Sequence, residues 1–392
     1  MKKILRIVIT GGPCGGKTTA LEEISKIFRL QGYTVFTVSE SATELITSGI
    51  KPYGNPKDML ALKDFQLSIL NLQLYKEEIR DDAAKMCGND KVVILYDRGI
   101  LDNRAYLKDE EFKEMIDKKG ISEAEILSRY DLVIHLVTAA LGKEEFYTTL
   151  NNTARTETAE EARVRDKRTM EAWSTHPNQI IVGNDCLFDE KMQRVGNIIR
   201  AYLGENEVIE QRKYKIEINA LDLVELANKQ DVHMLKEEIE EFVISNNGIE
   251  DEMYRKSTIA NSSYYTYTKI KYDINGIRTT VQKNVSDEVY LENLAKIDGE
   301  PINKVRYNFI YNNERYRLDL FCSPIHLITL ERDVTDKTNS KIPPFVTRIE
   351  EITNDRDYSD ATIYAFTNKI RKEIKANSLS RKLKLDIDKS LM

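Results

Sequence analysis

The sequence predicts two folded units in series: an α/β domain built on a parallel sheet, then an α+β domain built as an antiparallel β-barrel. Three observations carry this expectation. An apolar run from Ile4 to Thr10 leads through a glycine-rich stretch into a helical pattern from Ala20 to Phe28, the strand–loop–helix unit of a parallel sheet. The same alternation of apolar strands and helical segments continues to about residue 203. After Gly204-Glu205-Asn206-Glu207 the helical period gives way to strand alternation, with short strands broken by polar turns. The expected units are residues 1–203, residues 208–366, and a basic C-terminal helix or tail at 367–392.

Composition sets outer limits. A chain of 392 residues has material for two or three domains with real cores. It is 41% hydrophobic and 31% charged, an ordinary balance for a soluble protein. The net charge of −6 excludes a generic polyanion binder, so any phosphate affinity must come from a local basic surface. Four scattered cysteines, Cys14, Cys87, Cys186 and Cys322, show no disulfide or metal spacing, which fits a reducing compartment. Met1-Lys2-Lys3 leads directly into a strand, and no apolar run reaches membrane-spanning length. A cytoplasmic location without membrane contact is expected.

The first loop, Gly11-Gly12-Pro13-Cys14-Gly15-Gly16-Lys17-Thr18, has the spacing G-x-x-x-x-G-K-T of a P-loop. Glycines let successive backbone N–H groups turn toward a phosphate, and the next helix adds the positive end of its dipole. Lys17 then reaches the outer phosphates and the Thr18 hydroxyl can ligate magnesium, with Thr19 beside it. A nucleoside triphosphate ligand follows, ATP with Mg²⁺ being expected and Mn²⁺ an alternative.

A second strand, Thr34 to Val38, ends near Glu40. Ligands of open parallel sheets sit at the carboxyl ends of strands, so Glu40 is a candidate catalytic or substrate-binding carboxylate. Its plainer role is an acid favoured at a helix N-terminus. A long helical stretch follows from about Pro56 to Lys85, with Gln66, Gln73 and Glu77 near one stripe, facing either substrate or water. The run Lys91 to Tyr96 closes in Asp97-Arg98-Gly99. Asp97 is placed to hold the metal and Arg98 to neutralise developing phosphate charge, with Asp102 a weaker candidate for the same pocket.

The strand Asp131 to Val137 carries His135, expected as a core residue. Beyond it, Arg155 and Arg163 or Arg165 are candidate cations on a lid closing over the phosphates, a solvated helix face being the alternative. Gln179 to Val182 is a last strand with Asn184 at its end, a candidate nucleotide contact. A helix from Glu190 to Leu203 completes the unit.

Together, GGPCGGKT, SESATELI, LYDRGILDNRAYL, RYDLVIHLVTAA, NNTARTETAEEAR and EAWSTHPNQIIVGN resemble an AAA-type P-loop domain related to nicotinamide riboside kinase and nucleoside or nucleotide kinases. The resemblance runs through most of residues 4–203. It implies a five-stranded parallel core, ATP with magnesium, and an acid after the second strand, here Glu40, near the phosphate acceptor.

In the second unit, strands are expected at Glu210–Ile218, Glu237–Ser245, Asp251–Thr258, Ser263–Tyr272, Ile277–Val285, Lys304–Tyr311, Glu314–Phe321 and Ile328–Val334, with a helix at Ser286–Lys296 capped by Ser286. Charges of both signs lie along these strands. Because strand faces alternate, about half belong outside; the rest would give an interior suited to a triphosphate and its metal. The pattern of RKYKI, EDEMYRK, YYTYTKIKY, INKVRYNFIYNNERYRLDLF, LITLERDV and DRDYSDATIYAF resembles the CYTH domain of triphosphate tunnel metalloenzymes over about residues 208–366. That family includes triphosphatases and a class of adenylate cyclase. By position, the resemblance implies that Lys213, Arg255, Lys271, Lys304 and Arg306 line a phosphate path, and that Asp319, Glu331 and Asp333 hold metal.

Departures from that pattern matter. Ile209 and Gln211 stand where the family's opening strand has acids, and Gln282-Lys283-Asn284 replaces a central E-x-E. Loss of those acids favours anion binding over metal-dependent hydrolysis. From Lys369 to Met392, eight Lys or Arg face three acids, a tail that is solvated or touches RNA or another subunit.

The leading functional expectation is an ATP-dependent kinase or NTPase acting on a small nucleoside-like molecule, with the tunnel receiving a phosphorylated ligand. The alternatives are a triphosphatase or polyphosphatase working in the tunnel, and a nucleotide-gated regulator acting on RNA 5′ ends or a protein partner. A second copy of the chain is a further candidate partner.

Overall fold

The computed structural model describes residues 3–52, 59–146, 158–204, 210–217, 225, 227, 229–272, 278–334 and 342–390. At its centre β1 (Lys3–Gly11) runs parallel between β3 (Lys91–Asp97) and β4 (Leu132–Leu136). β2 (Thr34–Val38) and β5 (Gln179–Val182) form the edges, giving the order β2-β3-β1-β4-β5. These strands are apolar on both faces because helices cover both sides. Ile7 and Ile9 pack with α1 (Lys17–Leu30) and α7 (Phe188–Tyr202), whereas Val8, one residue out of phase, packs toward α3 (Met59–Met86), α5 (Glu123–Ser128) and Trp173. Each of Ile7, Val8 and Ile9 is fully buried, worth roughly 1.5–3 kcal/mol apiece. The register sets Ile9 against Asp97 and Gly11 against Leu136, so the glycine loop and Asp97 emerge at one edge of the sheet. α2 (Ser41–Thr47), α4 (Asp109–Asp117) and α6 (Ala159–Ala172) complete this unit.

The second sheet is antiparallel and has nine strands. They are β6 (Glu210–Ile216), β7 (Met234–Asn246), β8 (Glu250–Ile259), β9 (Ser262–Tyr272), β10 (Arg278–Val285), β11 (Ile302–Tyr311), β12 (Glu314–Phe321), β13 (Ile328–Val334) and β14 (Ile349–Glu351). Their order is β10-β9-β8-β7-β11-β12-β13-β6-β14. Asn312 and Asn313 turn the β11–β12 hairpin at φ 50 and 60, a conformation asparagine tolerates. Gln282 of β10 and Gln211 of β6 lie far apart in this order yet border the same cavity, so the sheet curls around a common interior. The nine strands thus form the antiparallel tunnel unit expected from the sequence; among the described residues no ladder joins β10 to β14.

α8 (Asp287–Leu294) is capped by Ser286 as expected, its hydroxyl accepting from the Val289 N–H. α9 (Asp360–Ser390) departs from expectation: the division placed at 366/367 falls inside this single helix. The two units share a contact. Ile259 and Tyr264 of the β8–β9 hairpin join the apolar cluster containing Trp173 and Tyr130. Tyr264 donates to the Thr175 carbonyl at 3.3 Å, and Asn284 Nδ2 donates to the carbonyls of Ser128 and Tyr130 at 3.0 and 3.1 Å. None of the described helices is long and apolar enough to cross a membrane.

Candidate functional site

The glycine loop is shaped by backbone conformations that side chains resist. Gly11 has φ 136, and a Cβ there would lie 2.0 Å from the Leu136 carbonyl oxygen; Gly16 has φ 93 at the start of α1. Pro13 accepts from the Thr138 hydroxyl at 2.6 Å. Lys17 folds back onto the loop, its Nζ donating to Gly11 and Gly12 carbonyls at 3.2 and 3.0 Å. Thr18 and Thr19 are exposed. Cys14, Gly15, Gly16, Lys17, Thr18 and Thr19 line a cleft of about 1010 Å³, facing Glu40 and Asp97.

Asp97 and Glu40 sit in opposite electrostatic circumstances. Asp97 Oδ1 is buried and has no hydrogen-bond partner among the described residues. Burial raises its pKa, with Glu40 and Asp102 adding to the rise and Lys17 and Arg98 opposing it. An unpaired carboxylate oxygen and an exposed Thr18 hydroxyl lining the same cleft are donor types that fit a divalent cation. Burial also works to raise Glu40, but Arg98, Lys17 and a bond from Thr43 outweigh it and lower its pKa to about 2. Arg98 Nε lies 2.5 Å from Glu40, and Thr43 Oγ1 donates to Glu40 at 2.7 Å. Arg98 has φ 67, a strained conformation for a non-glycine residue directly after a strand.

Several expected residues have other partners. Asp102 is a structural hub: it accepts from Thr10, from the Gly99 N–H at 2.9 Å and from Trp173 Nε1 at 3.1 Å. Asn184 lines the cleft, but its amide donates to the carbonyls of Thr138 and Leu141 at 2.7 and 2.9 Å and accepts from Lys191 at 2.7 Å. It shapes the wall. Arg163 turns outward to Glu160 at 2.8 Å and to the Ala140 carbonyl at 2.7 Å. Arg165 donates to the Ala105 carbonyl at 2.6 Å and stacks on Tyr106. The lid assignment to Arg163 is therefore not what this arrangement displays, because local acids and carbonyls claim the guanidinium first. Arg155 lies outside the described residues.

Sequence reasoning missed three participants. Asp166 Oδ1 accepts the Gly12 N–H at 2.6 Å and lies 3.0 Å from Nε2 of the fully buried His135. Lys143 and Lys191 add cations to the cleft wall. Burial lowers the Lys191 pKa to about 8, against the charge of Asp166. Asp166 was hidden among the charges of its own helix, and Lys191 looked like an ordinary helical lysine.

In the second unit the inward faces follow strand alternation. Lys213, Arg255, Lys304 and Arg306 point inside, joined by Arg317. Lys271 does not: it is out of phase with Thr268 and Ile270 at the rim of β9, 61% exposed and paired with Glu250 at 3.2 Å. Of the three acids expected to hold metal, Asp319 grips Arg306 through two bonds of 2.6 and 2.7 Å, with Lys304 at 3.1 Å. Asp333 grips Arg317 at 2.8 and 2.9 Å and accepts from Gln211 at 2.8 Å. Glu331 lies 3.4 Å from Arg317 and 3.5 Å from Lys213. Burial opposes ionisation of Asp333, but Arg317 and Arg315 hold its pKa down at about 2. Each of these acids is already engaged by at least one cation. Among the described residues no group of three or more His, Cys, Asp or Glu stands together as a metal site.

An interior cavity of about 170 Å³ is bordered by Arg255, Arg306, Arg317, Gln282 and Asp333, and also by Leu132, Tyr202 and Pro177 to Ile180 of the first unit. Arg315 reaches across to the Pro177 carbonyl at 3.2 Å.

These features define a P-loop, nucleotide-binding type of α/β unit with a charged antiparallel unit attached. Residues 6–191 match the family model described as an AAA domain, a P-loop NTPase-like match that covers the glycine loop and Asp97. Comparison with curated proteins gives no match. Among solved structures, the chain is similar to the PH1012 protein of Pyrococcus horikoshii, at 15% identity over 32% of this chain and 80% of that one, TM-score 0.27. A conserved hypothetical protein of Pyrococcus furiosus gives 15% identity over 33% and 81%, TM-score 0.27. An adenylyl cyclase candidate from Hippeastrum, described as having a dominant triphosphatase activity, gives 9% identity over 33% and 80%, TM-score 0.27.

Proposed function

We propose that the chain is an ATP-dependent phosphotransferase that passes a γ-phosphoryl group to a small, nucleoside-like hydroxyl acceptor, its tunnel receiving a phosphorylated ligand. The observation that carries this reading is the convergence of Lys17, Thr18, Glu40 and Asp97 on one cleft, with an Asp97 oxygen left unpaired. Phosphoryl transfer asks for positioning and charge stabilisation more than for covalent chemistry. Lys17 and the loop amides would hold the phosphates. Thr18 and Asp97 would hold a magnesium ion, which when bound neutralises charge on the phosphate oxygens. Glu40, ionised under Arg98 and Lys17, would accept the acceptor hydroxyl's hydrogen bond and orient it; a carboxylate at about 2 is a weak base, so its part is orientation. Arg98 lies beside Glu40, ready to offset charge developing between donor and acceptor.

Residues 1–203 and 208–366 would be the two working units. The pairing of each tunnel acid with a cation supports reception of an anion over metal-dependent hydrolysis there. The test is ATP consumption with Mg²⁺ or Mn²⁺ and a panel of nucleosides, in wild type, Lys17→Ala and Asp319→Ala/Glu331→Ala. Acceptor-dependent loss of ATP that Lys17→Ala alone abolishes is the expected result. Cleavage of tripolyphosphate or 5′-triphosphorylated RNA that only the acid substitutions stop would move the activity to the tunnel.

A further inference from the structure

One charged group in the tunnel comes from outside the rolled sheet. Asp360, the first residue of α9, places its carboxylate among cations from three strands: Lys213 at 3.3 Å, Lys304 at 3.6 Å and Arg255 at 3.7 Å. Lys213 also donates to the Tyr358 carbonyl at 2.9 Å, so the chain leading into α9 is held at the same point. The three cationic side chains are 7%, 0% and 11% exposed, and Asp360 is 15% exposed. Arg255 and Asp360 both border the interior cavity, beside Arg306 and Arg317.

The other carboxylates around these cations, Glu241, Asp319 and Glu331, sit on β7, β12 and β13, strands paired on both sides. They cannot leave without breaking the sheet. Asp360 is placed differently, in the first turn of a helix that is no part of the sheet. That helix is held by Ile363 in a small apolar cluster with Ile302 and Phe321. Rim contacts add to this: Arg371 to the Glu300 and Pro301 carbonyls at 2.9 Å, Lys372 to Asp298 at 3.1 Å and Lys375 to Glu300 at 2.5 Å. The exposed Lys372 and Lys375 ion pairs are worth roughly 0–1 kcal/mol each.

We propose that Asp360 is a displaceable counter-anion: a phosphate-bearing ligand enters the tunnel by exchanging places with its carboxylate, and the tip of α9 thereby gates the cation set of Lys213, Arg255 and Lys304. The inference rests on the reading of the tunnel as a receptor for a phosphorylated ligand, and adds a selection rule. Buried cations are costly without a partner, so the carboxylate leaves only for an anion that returns more charge than it removes. Ligands with consecutive phosphates meet that condition, whereas orthophosphate replaces one small anion with another at little gain.

The test is calorimetric binding of tripolyphosphate and of orthophosphate to the full chain carrying Lys17→Ala, which removes uptake of the probe by the glycine loop. In that background Asp360→Asn should bind tripolyphosphate at least about ten-fold more tightly, with a smaller gain for orthophosphate. Adding Lys304→Met should cancel the gain. Amide exchange across residues 356–364 of the Asp360-containing chain should rise when tripolyphosphate is added. Unchanged or weaker binding by a folded Asp360→Asn chain overturns the proposal. Should that variant fail to fold, exchange in the chain with Asp360 decides: protection at 356–364 on binding, or no change there, overturns it equally. If no chain binds either probe, the tunnel is no anion receptor and the gate falls with it, whereas acceptor-dependent ATP consumption by the wild-type chain would still report the P-loop reading separately.

Discussion

Arg98 holds Glu40 through a 2.5 Å contact from Nε, and it does so from a backbone at φ 67 immediately after β3. The pair links the metal-side strand to the acceptor-side helix, and it keeps Glu40 charged. Removing the guanidinium in Arg98→Met should lower acceptor-dependent turnover by 10²-fold or more, roughly the loss of one positioned charge. Steady-state rates for both proteins, with matched circular dichroism, check this.

The same pair sets an acid limit. Glu40 titrates at about 2 in the folded chain against an ordinary 4.5. A depressed carboxylate contributes stability that is complete above 4.5 and is lost as pH falls toward about 2. Its share has an upper bound of about 3 kcal/mol. Denaturant unfolding between those pH values should therefore show a shallower acid loss in Arg98→Met than in wild type.

Asp97 pulls the other way. Burial disfavours its charge, so Asp97→Asn should leave the melting temperature level or raise it. ATP turnover should fall by about 10²–10³-fold, since the cation loses its buried oxygen. A melt and an initial-rate assay on the same preparation suffice, and a destabilised Asp97→Asn protein would contradict the electrostatic account.

Lys191 gives a signature on the alkaline side. Its pKa of about 8 means that the cleft loses a positive charge as pH rises through that value. Nucleotide affinity should decline from pH 8 upward in wild type, and Lys191→Arg should flatten the decline because a guanidinium stays charged. Fluorescent-nucleotide titrations at stepped pH would read this directly.

Asn284 donates from one amide nitrogen to two carbonyls of the first unit. Asn284→Asp would set a carboxylate against two acceptors, and should cost about 1–3 kcal/mol in urea unfolding. Ser128 and Tyr130 offer no donor in exchange at those carbonyls, so an acid at this position should weaken the seam rather than create a metal site.

Much of the first unit was legible because its signals are local. The strand–glycine loop–helix order and the strand ending in Asp97 are contiguous patterns, and contiguous backbone positions share a sheet edge. The fates of Arg163 and Asn184 were not legible, because a side chain's partner is chosen by tertiary neighbours such as the Ala140 and Thr138 carbonyls. In the second unit, alternation identified strands, but Lys271 was placed inside by position in the resemblance, and its phase at the end of β9 turns it out toward Glu250. Asp360 escaped notice because it belongs to a helix.

The seam has a consequence for how this chain can be taken apart. Part of the cavity wall beside Arg306 and Arg317 consists of Leu132, Tyr202 and the Pro177 to Ile180 segment. Severing the chain between the two sheets would flood that face with bulk water, and in so polar a medium the attraction between each pair falls several-fold. The two halves are thus not interchangeable cassettes: a foreign nucleotide-binding partner would leave the tunnel with a hole in its side.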